Sequence, residues 1–235
     1  VTQGKNKLLE QTVNKFIEMV LSKLIDAEHL QVRVKANLKD LLAGKLDALN
    51  IEIFGFLLRR HLRVAEFQFD IGASAVNLQS VRHGKIELLH PAEGSVRMAI
   101  TQEQLTAFLN AELPFICKNQ PREVQLQQVK CEFRESGVIA VHVCWINGKE
   151  NNYQTCNSLP QIERNASAVI LAHQNNEANK IPDEYVNAIL AQVSEILSFY
   201  DVANRGTTFY IQQINVKANK IIVQANAYIK QFPSN

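Results

Sequence analysis

The residues of this chain best suited to metal or nucleophilic chemistry are six histidines, His29, His61, His83, His90, His142 and His173, and four cysteines, Cys117, Cys131, Cys144 and Cys156. Their spacing gives that chemistry little support. A zinc site draws its ligands from short repeats such as CxxC, HxH or HExxH, and none is present. Nor is there a GxSxG elbow, a phosphate-cradling glycine loop or a GxGxxG turn. His142 lies in an apolar stretch and reads as a hydrogen-bonded structural histidine. Catalytic triads are defined by geometry, so a dispersed set of catalytic residues remains a third reading. Each cysteine sits in or beside an apolar segment and reads as a small buried hydrophobe. Asn165-Ala166-Ser167 fits a glycosylation acceptor, but it falls within a stretch expected to be a strand and is read as a chance match.

A second kind of chemistry is concentrated in FGFLLRRHLR, residues 54–63. Phe54, Phe56, Leu57 and Leu58 are apolar enough to enter a membrane surface, and Arg59, Arg60 and Arg63 could meet lipid phosphates there. The competing reading is a turn whose apolar residues belong to the core and whose arginines are solvated.

The elements that must position these groups follow from periodicity. With 235 residues, 46% hydrophobic and 20% charged, the chain has ordinary globular composition and fits one domain, 1–235. A net charge of +2 lacks the strongly basic face that nucleic acid requires. Residues 8–26 carry Leu9, Val13, Phe16, Ile17, Val20, Leu21 and Leu24 at helical spacing, predicting an amphipathic helix roughly 28 Å long. A helix lying on a membrane is the sharper alternative, but its polar face mixes acids with bases.

Val32–Asn77 reads as three alternating strands, broken at 40–44 and 54–58, with a bend near Ala65 where the apolar parity changes. Residues 81–90 fit either a helix or a strand. Thr101 and Gln104 form a capping box for a helix that Pro114 should end. The second half reads as a meander with turns at Ser136-Gly137 and Asn147-Gly148. Its strand over 138–146 is apolar on both parities and should be covered on both faces. A helix follows Pro182, to about Tyr200. A hairpin turning at Ala218-Asn219 closes the chain.

Residues 38–113, LKDLLAGKLDALNIEIFGFLLRRHLRVAEFQFDIGASAVNLQSVRHGKIELLHPAEGSVRMAITQEQLTAFLNAEL, resemble the LmeA-like phospholipid-binding family of bacteria. The features in common are Leu41, Leu42 and Gly44, the basic turn with its aromatic strand, and the strand-to-helix passage over 100–109. The closing stretch TTFYIQQINVKANKIIVQANAYIKQFP, 207–233, resembles the family's last hairpin, with Asn219 where glycine would be expected. The resemblance implies an α+β fold of tubular lipid-binding type. A long, highly curved antiparallel β-sheet would wrap around two long amphipathic helices, with a shorter third helix and an apolar groove between sheet and helices.

On this reading the chain is no enzyme and needs no cofactor. It binds, and could transfer, phospholipid or another apolar lipid, with peripheral contact to a membrane and no nucleic acid. The groove would be lined by Phe16, Val20, Val34, Ile51, Phe67, Phe69, Val193, Ile196 and Leu197. The rival is a structural or protein-interaction domain with a fully packed core. A cytoplasmic or membrane-peripheral place is favoured, and export stays open because a leader before Val1 would not be seen.

Overall fold

A computed structural model of the chain describes residues 2–77, 79–80, 87–118, 124–148, 150–174, 181–203 and 206–230. The first helix, α1 (Thr2–Leu24), leads into strand β1 (His29–Lys35) and a short helix α2 (Leu38–Leu42). Strands β2 (Lys45–Leu46), β3 (Ala48–Arg59), β4 (Leu62–Ile71), β5 (Ser74–Ala75) and β6 (Ala92–Thr101) follow. Helix α3 (Gln102–Lys118) then connects to a meander of β7 (Gln125–Phe133), β8 (Ile139–Asn147), β9 (Glu150–Ile162) and β10 (Val169–Gln174). Helices α4 (Asp183–Leu197) and α5 (Tyr200–Ala203) precede the closing hairpin, β11 (Thr207–Lys217) and β12 (Lys220–Ile229).

The fold is α+β, with five helices and antiparallel sheets among the described residues. The expected single sheet is in fact divided. Six strands run in the order β1-β3-β4-β6-β12-β11, four in the order β10-β9-β8-β7, and β2 pairs with β5 alone. Alternation explains the larger sheet: one parity, with Val32, Ile51 and Met98, is buried, and the other carries the ion pairs Arg33–Glu52 and Arg97–Glu66. Both large sheets contribute to one apolar cluster with α3 and α4, which holds Phe67, Leu109, Val141 and Val193.

Several expectations change for local reasons. The break expected at 54–58 is absent, because β3 runs on to Arg59. Gly55, at φ +60°, instead bends the strand where its pairing passes from Phe54–Glu66 to Phe56–Val64. Beyond that left-handed residue the buried parity switches, from Ile51 and Ile53 to Leu58, and from Phe67 to Val64 and Leu62. This is the bend foreseen at Ala65, taken up by the glycine across from it.

Pro114 does not end α3, which continues to Lys118. The third helix is therefore not the shorter one: α3 has 17 residues and α4 has 15. The expected strand over 162–172 is split by a turn, with Ala166 at φ 58°, so Asn165 and Ser167 are exposed in that turn and not within a strand. Strand β8 is fully covered on one face only. Ile139, Val141, Val143 and Trp145 are buried, whereas on the other face Ala140 is buried but His142, Cys144 and Ile146 are half-buried. Of the ambiguous stretch 81–90, residues 81–86 lie outside the described residues, and Leu88 bridges to Val76.

Other local signals appear as read. The Thr101 amide donates to Gln104 Oε1 at 3.0 Å and the Gln104 amide to Thr101 Oγ1 at 3.2 Å. Asn219 adopts φ 86° in the last hairpin turn.

Candidate functional site

Nine apolar residues are the candidates for a groove, and most of them are buried. Val34, Ile51, Phe67, Val193, Ile196 and Leu197 all belong to the packed cluster, with Phe67 only 1% exposed. Val20 is buried on α1, and Phe69 is half-buried against the cluster. Phe16 is the exception, 39% exposed on α1. Phe67 meets Phe56, Phe69 and Phe199 at ring-centroid distances of 5.4, 5.1 and 6.1 Å, so aromatic contact fills the space between β4 and the end of α4.

The seven docking candidates separate into tied and free groups. Leu58 is buried, Phe56 and Leu57 are half-buried, and Phe54 is 38% exposed beside His29. Arg59 is tied inward: its Nε donates to Asp201 at 2.9 and 3.0 Å, and its terminal nitrogens donate to Gln192 at 2.9 Å and Glu195 at 3.0 Å. Arg63 donates to the Gly55 carbonyl and to Asp26, both at 2.8 Å. Arg60 is exposed at the two-residue hairpin turn, next to His61 at φ 68°.

An opening that was not foreseen lies between α3 and the start of β7. Along α3, Gln102, Thr106 and Asn110 recur every fourth residue and take the free edge of β7. Gln102 Oε1 accepts from the Phe133 amide at 3.0 Å, Thr106 Oγ1 from Cys131 at 3.0 Å and Asn110 Oδ1 from Val129 at 2.9 Å. The next position in the series is Pro114, which has no polar side chain to offer. There helix and strand part, leaving a cleft of about 480 Å³ lined by Leu113, Pro114, Cys117, Val124 and Leu126, with Asn110, Gln125 and Gln127 among its polar groups. Leu113 and Val124 are core residues, so the floor of the cleft is continuous with the interior. Burial pushes the Cys117 thiol up, opposed by its hydrogen bond to Leu126, so it stays neutral in ordinary buffers. A cleft of this volume and apolar lining suits a hydrocarbon chain with a polar end at the rim.

A second recess, of about 390 Å³, lies on the outer face of β7, β8 and β9 and is lined in part by Lys130, His142, Cys144, Tyr153 and Thr155. The His142 ring bridges Thr155 Oγ1 at 2.8 Å and Glu132 Oε2 at 2.9 Å. Hydrogen bonds, first from Arg134 and then from His142, hold the Glu132 carboxyl below the ordinary carboxylate value. An ionised Glu132 accepts from Nε2–H, and Nδ1 shares a hydrogen bond with the Thr155 hydroxyl. The group is satisfied within itself. No disulfide joins the four cysteines; Cys131 and Cys156 are buried, and Cys117 and Cys144 half-buried.

The position of the cleft depended on a helix passing through Pro114. The one signal that could have revealed it is the Gln102, Thr106, Asn110 series, which gives α3 a polar stripe where an edge strand needs acceptors.

Antiparallel sheets packed with helices around one apolar core make this an α+β protein. The model of the LmeA-like phospholipid-binding family matches residues 4–226, and the chain belongs to that family. No curated protein and no solved structure matches it.

Proposed function

We propose that this chain is a single non-enzymatic domain that binds a phospholipid, or another apolar lipid, and passes it to and from a membrane. The family match over residues 4–226 carries the reading, and the α3–β7 cleft supports it. On this proposal the strands form a curved wall around α1, α3 and α4, and acyl chain enters beside Leu113, Val124 and Leu126. The packed candidates Phe67, Val193, Ile196 and Leu197 would line lipid only after the wall and helices separate. Burying a methylene gains about 0.8 kcal/mol, and a bilayer interior provides nearly the same. Exchange with a membrane is then close to neutral in this term and needs no energy source. Docking would draw on Arg60 at the hairpin turn and on Phe54 farther back along β3, since Arg59 and Arg63 already have partners.

One observation favours the rival, a structural or protein-interaction domain: most of the groove candidates are packed against one another. Mass spectrometry of an organic extract of purified protein separates the two. Stoichiometric phospholipid, lost in Leu126→Glu while the fold is retained by circular dichroism, is the expected result. Lipid-free protein that moves no labelled phospholipid between vesicles would return the chain to the rival reading.

A further inference from the structure

Helix α1 treats its two acidic residues and its lysines differently. The carboxylate of Glu18 accepts from the Val32 amide at 2.9 Å, and Asn14 Oδ1 accepts from the Val34 amide at 2.8 Å. These two side chains, four residues apart, close the free edge of β1. Glu10 is half-buried on the same side, Val13, Ile17 and Leu21 pack on the core, and Val20 is buried. The opposite shoulder keeps Lys15, Phe16, Met19 and Lys23, all exposed, with Phe16 at 39% and Met19 at 49%. At 100° per residue, Phe16, Met19 and Lys23 fall within one narrow stripe, with Lys15 at its border. In the sequence this helix mixes acids with bases. Folding turns its acids toward the sheet, and the charges left exposed between residues 10 and 24 are lysines alone.

We infer that this shoulder is a docking surface for an anionic phospholipid bilayer, with Phe16 and Met19 entering the acyl boundary and Lys15 and Lys23 meeting lipid phosphates. Two exposed apolar side chains bordered by ammonium groups on flexible stems are what an interfacial helix needs. Charge complementarity selects the partner: an anionic surface is attracted by both lysines, while the nearest exposed acids, Asp26 and Glu28, lie beyond the helix end and Asp26 is paired with Arg63. The segment after α1 runs directly along the hairpin, with the Leu57 amide donating to the Asp26 carbonyl at 2.8 Å and the Glu28 amide to the Phe54 carbonyl at 3.0 Å. A bilayer contacted by the end of α1 is therefore next to the strands that wall the proposed lipid path. The inference adds a docking surface to the lipid-binding reading without depending on the α3–β7 cleft.

The test is co-sedimentation of the full chain with vesicles of phosphatidylcholine, alone and mixed with phosphatidylglycerol. Lys15→Glu with Lys23→Glu should weaken partition to the mixed vesicles at least about thirtyfold, at the usual contribution of two basic side chains near an anionic surface. Phe16→Ser with Met19→Ser should weaken it too, and both positions are exposed enough that the fold survives. A tryptophan introduced as Phe16→Trp should shift to shorter emission wavelength with mixed vesicles and be quenched by brominated acyl chains. Unchanged partition in both double variants overturns the inference, and loss of partition in Arg60→Glu with both double variants unchanged would give docking to the hairpin turn instead. Concentration-dependent dimerisation abolished by Phe16→Ser with Met19→Ser would assign the shoulder to a second copy instead. Co-purified lipid persisting in variants that no longer bind vesicles would separate docking from lipid binding.

Discussion

Arg59 shows how one side chain decides between two readings of the same sequence. As part of an apolar–basic turn it suggests a lipid phosphate ligand, yet its guanidinium is satisfied by Asp201, Gln192 and Glu195. It ties the β3–β4 hairpin to α4 and α5 across more than 130 positions of sequence. Arg59→Ala should lower stability by about 2 kcal/mol, the usual scale for hydrogen bonds to charged groups, read from the urea midpoint at unchanged slope. A loss below about 0.5 kcal/mol would make it an ordinary surface pair. Glu132 makes a second residue-scale case, and its sign follows from its hydrogen bonds to Arg134 and His142. Because its carboxyl titrates below the ordinary value, the pairing is present above the unfolded-state value and is lost as pH falls through the folded one. A carbon-detected NMR titration should place its midpoint below that of a free glutamate, and Arg134→Gln should raise it. A midpoint at or above the free value would contradict the network. At this scale the sequence was a partial guide. It identified the arginines by type, but their partners on α4 and α5 are remote in sequence and became visible only with the fold.

Helices α1 and α3 solve one problem in the same way. Each lies beside the free edge of a sheet, β1 or β7, and supplies acceptors at every fourth position to amides that have no strand partner. Asn110 adds donors, its Nδ2 giving 2.6 Å to the Val129 carbonyl and 2.8 Å to that of Thr106. Asn110→Ala should therefore cost about 2 kcal/mol and accelerate amide exchange at Val129 above all other β7 positions. Unchanged protection at Val129 would mean that the strand edge does not depend on the helix. Elements with a clean period were legible in advance: the alternation of β1, the apolar stripe of α4, the capping box at Thr101 and the Asn219 turn. The errors have physical causes. Gly55 flips the parity of β3 without ending it, so a continuous strand looked broken. Pro114 removes one rung of the helix and crowds the carbonyl before it, but a helix held along β7 by three side chains continues past it. The division into two sheets rests on pairings such as Ile229 with Ala92, which leave no mark in local periodicity.

At the scale of the molecule, α3 touches both sheets, packing on β7 on one side and on β4 and β6 on the other, and β11 of the larger sheet also meets β9 of the smaller. Phe108 and Leu109, on this helix, are fully buried within a cluster to which both sheets contribute. Two sheets joined only by a loop would melt separately, whereas two sheets sharing a helix should melt together. Trp145, the only tryptophan, is buried in β8 and reports on the smaller sheet. Amide exchange at Val223 in β12 reports on the larger one. Truncating Phe108 removes core volume from both sides at once and should cost about 4 kcal/mol. Phe108→Ala is therefore expected to bring the Trp145 transition and the exposure of the Val223 amide to lower urea by the same free energy, in one step. Val141→Ala in β8 should shift both as well, although it touches the larger sheet only through the shared core. If Trp145 fluorescence and Val223 exchange separate in either variant, the chain is two cooperative units, and the proposed lipid entry at the α3–β7 cleft would proceed by opening one of them. If they stay together, opening the cleft must be a local movement of α3 about Pro114. A bound phospholipid should then raise both midpoints equally, by the amount its concentration and affinity dictate.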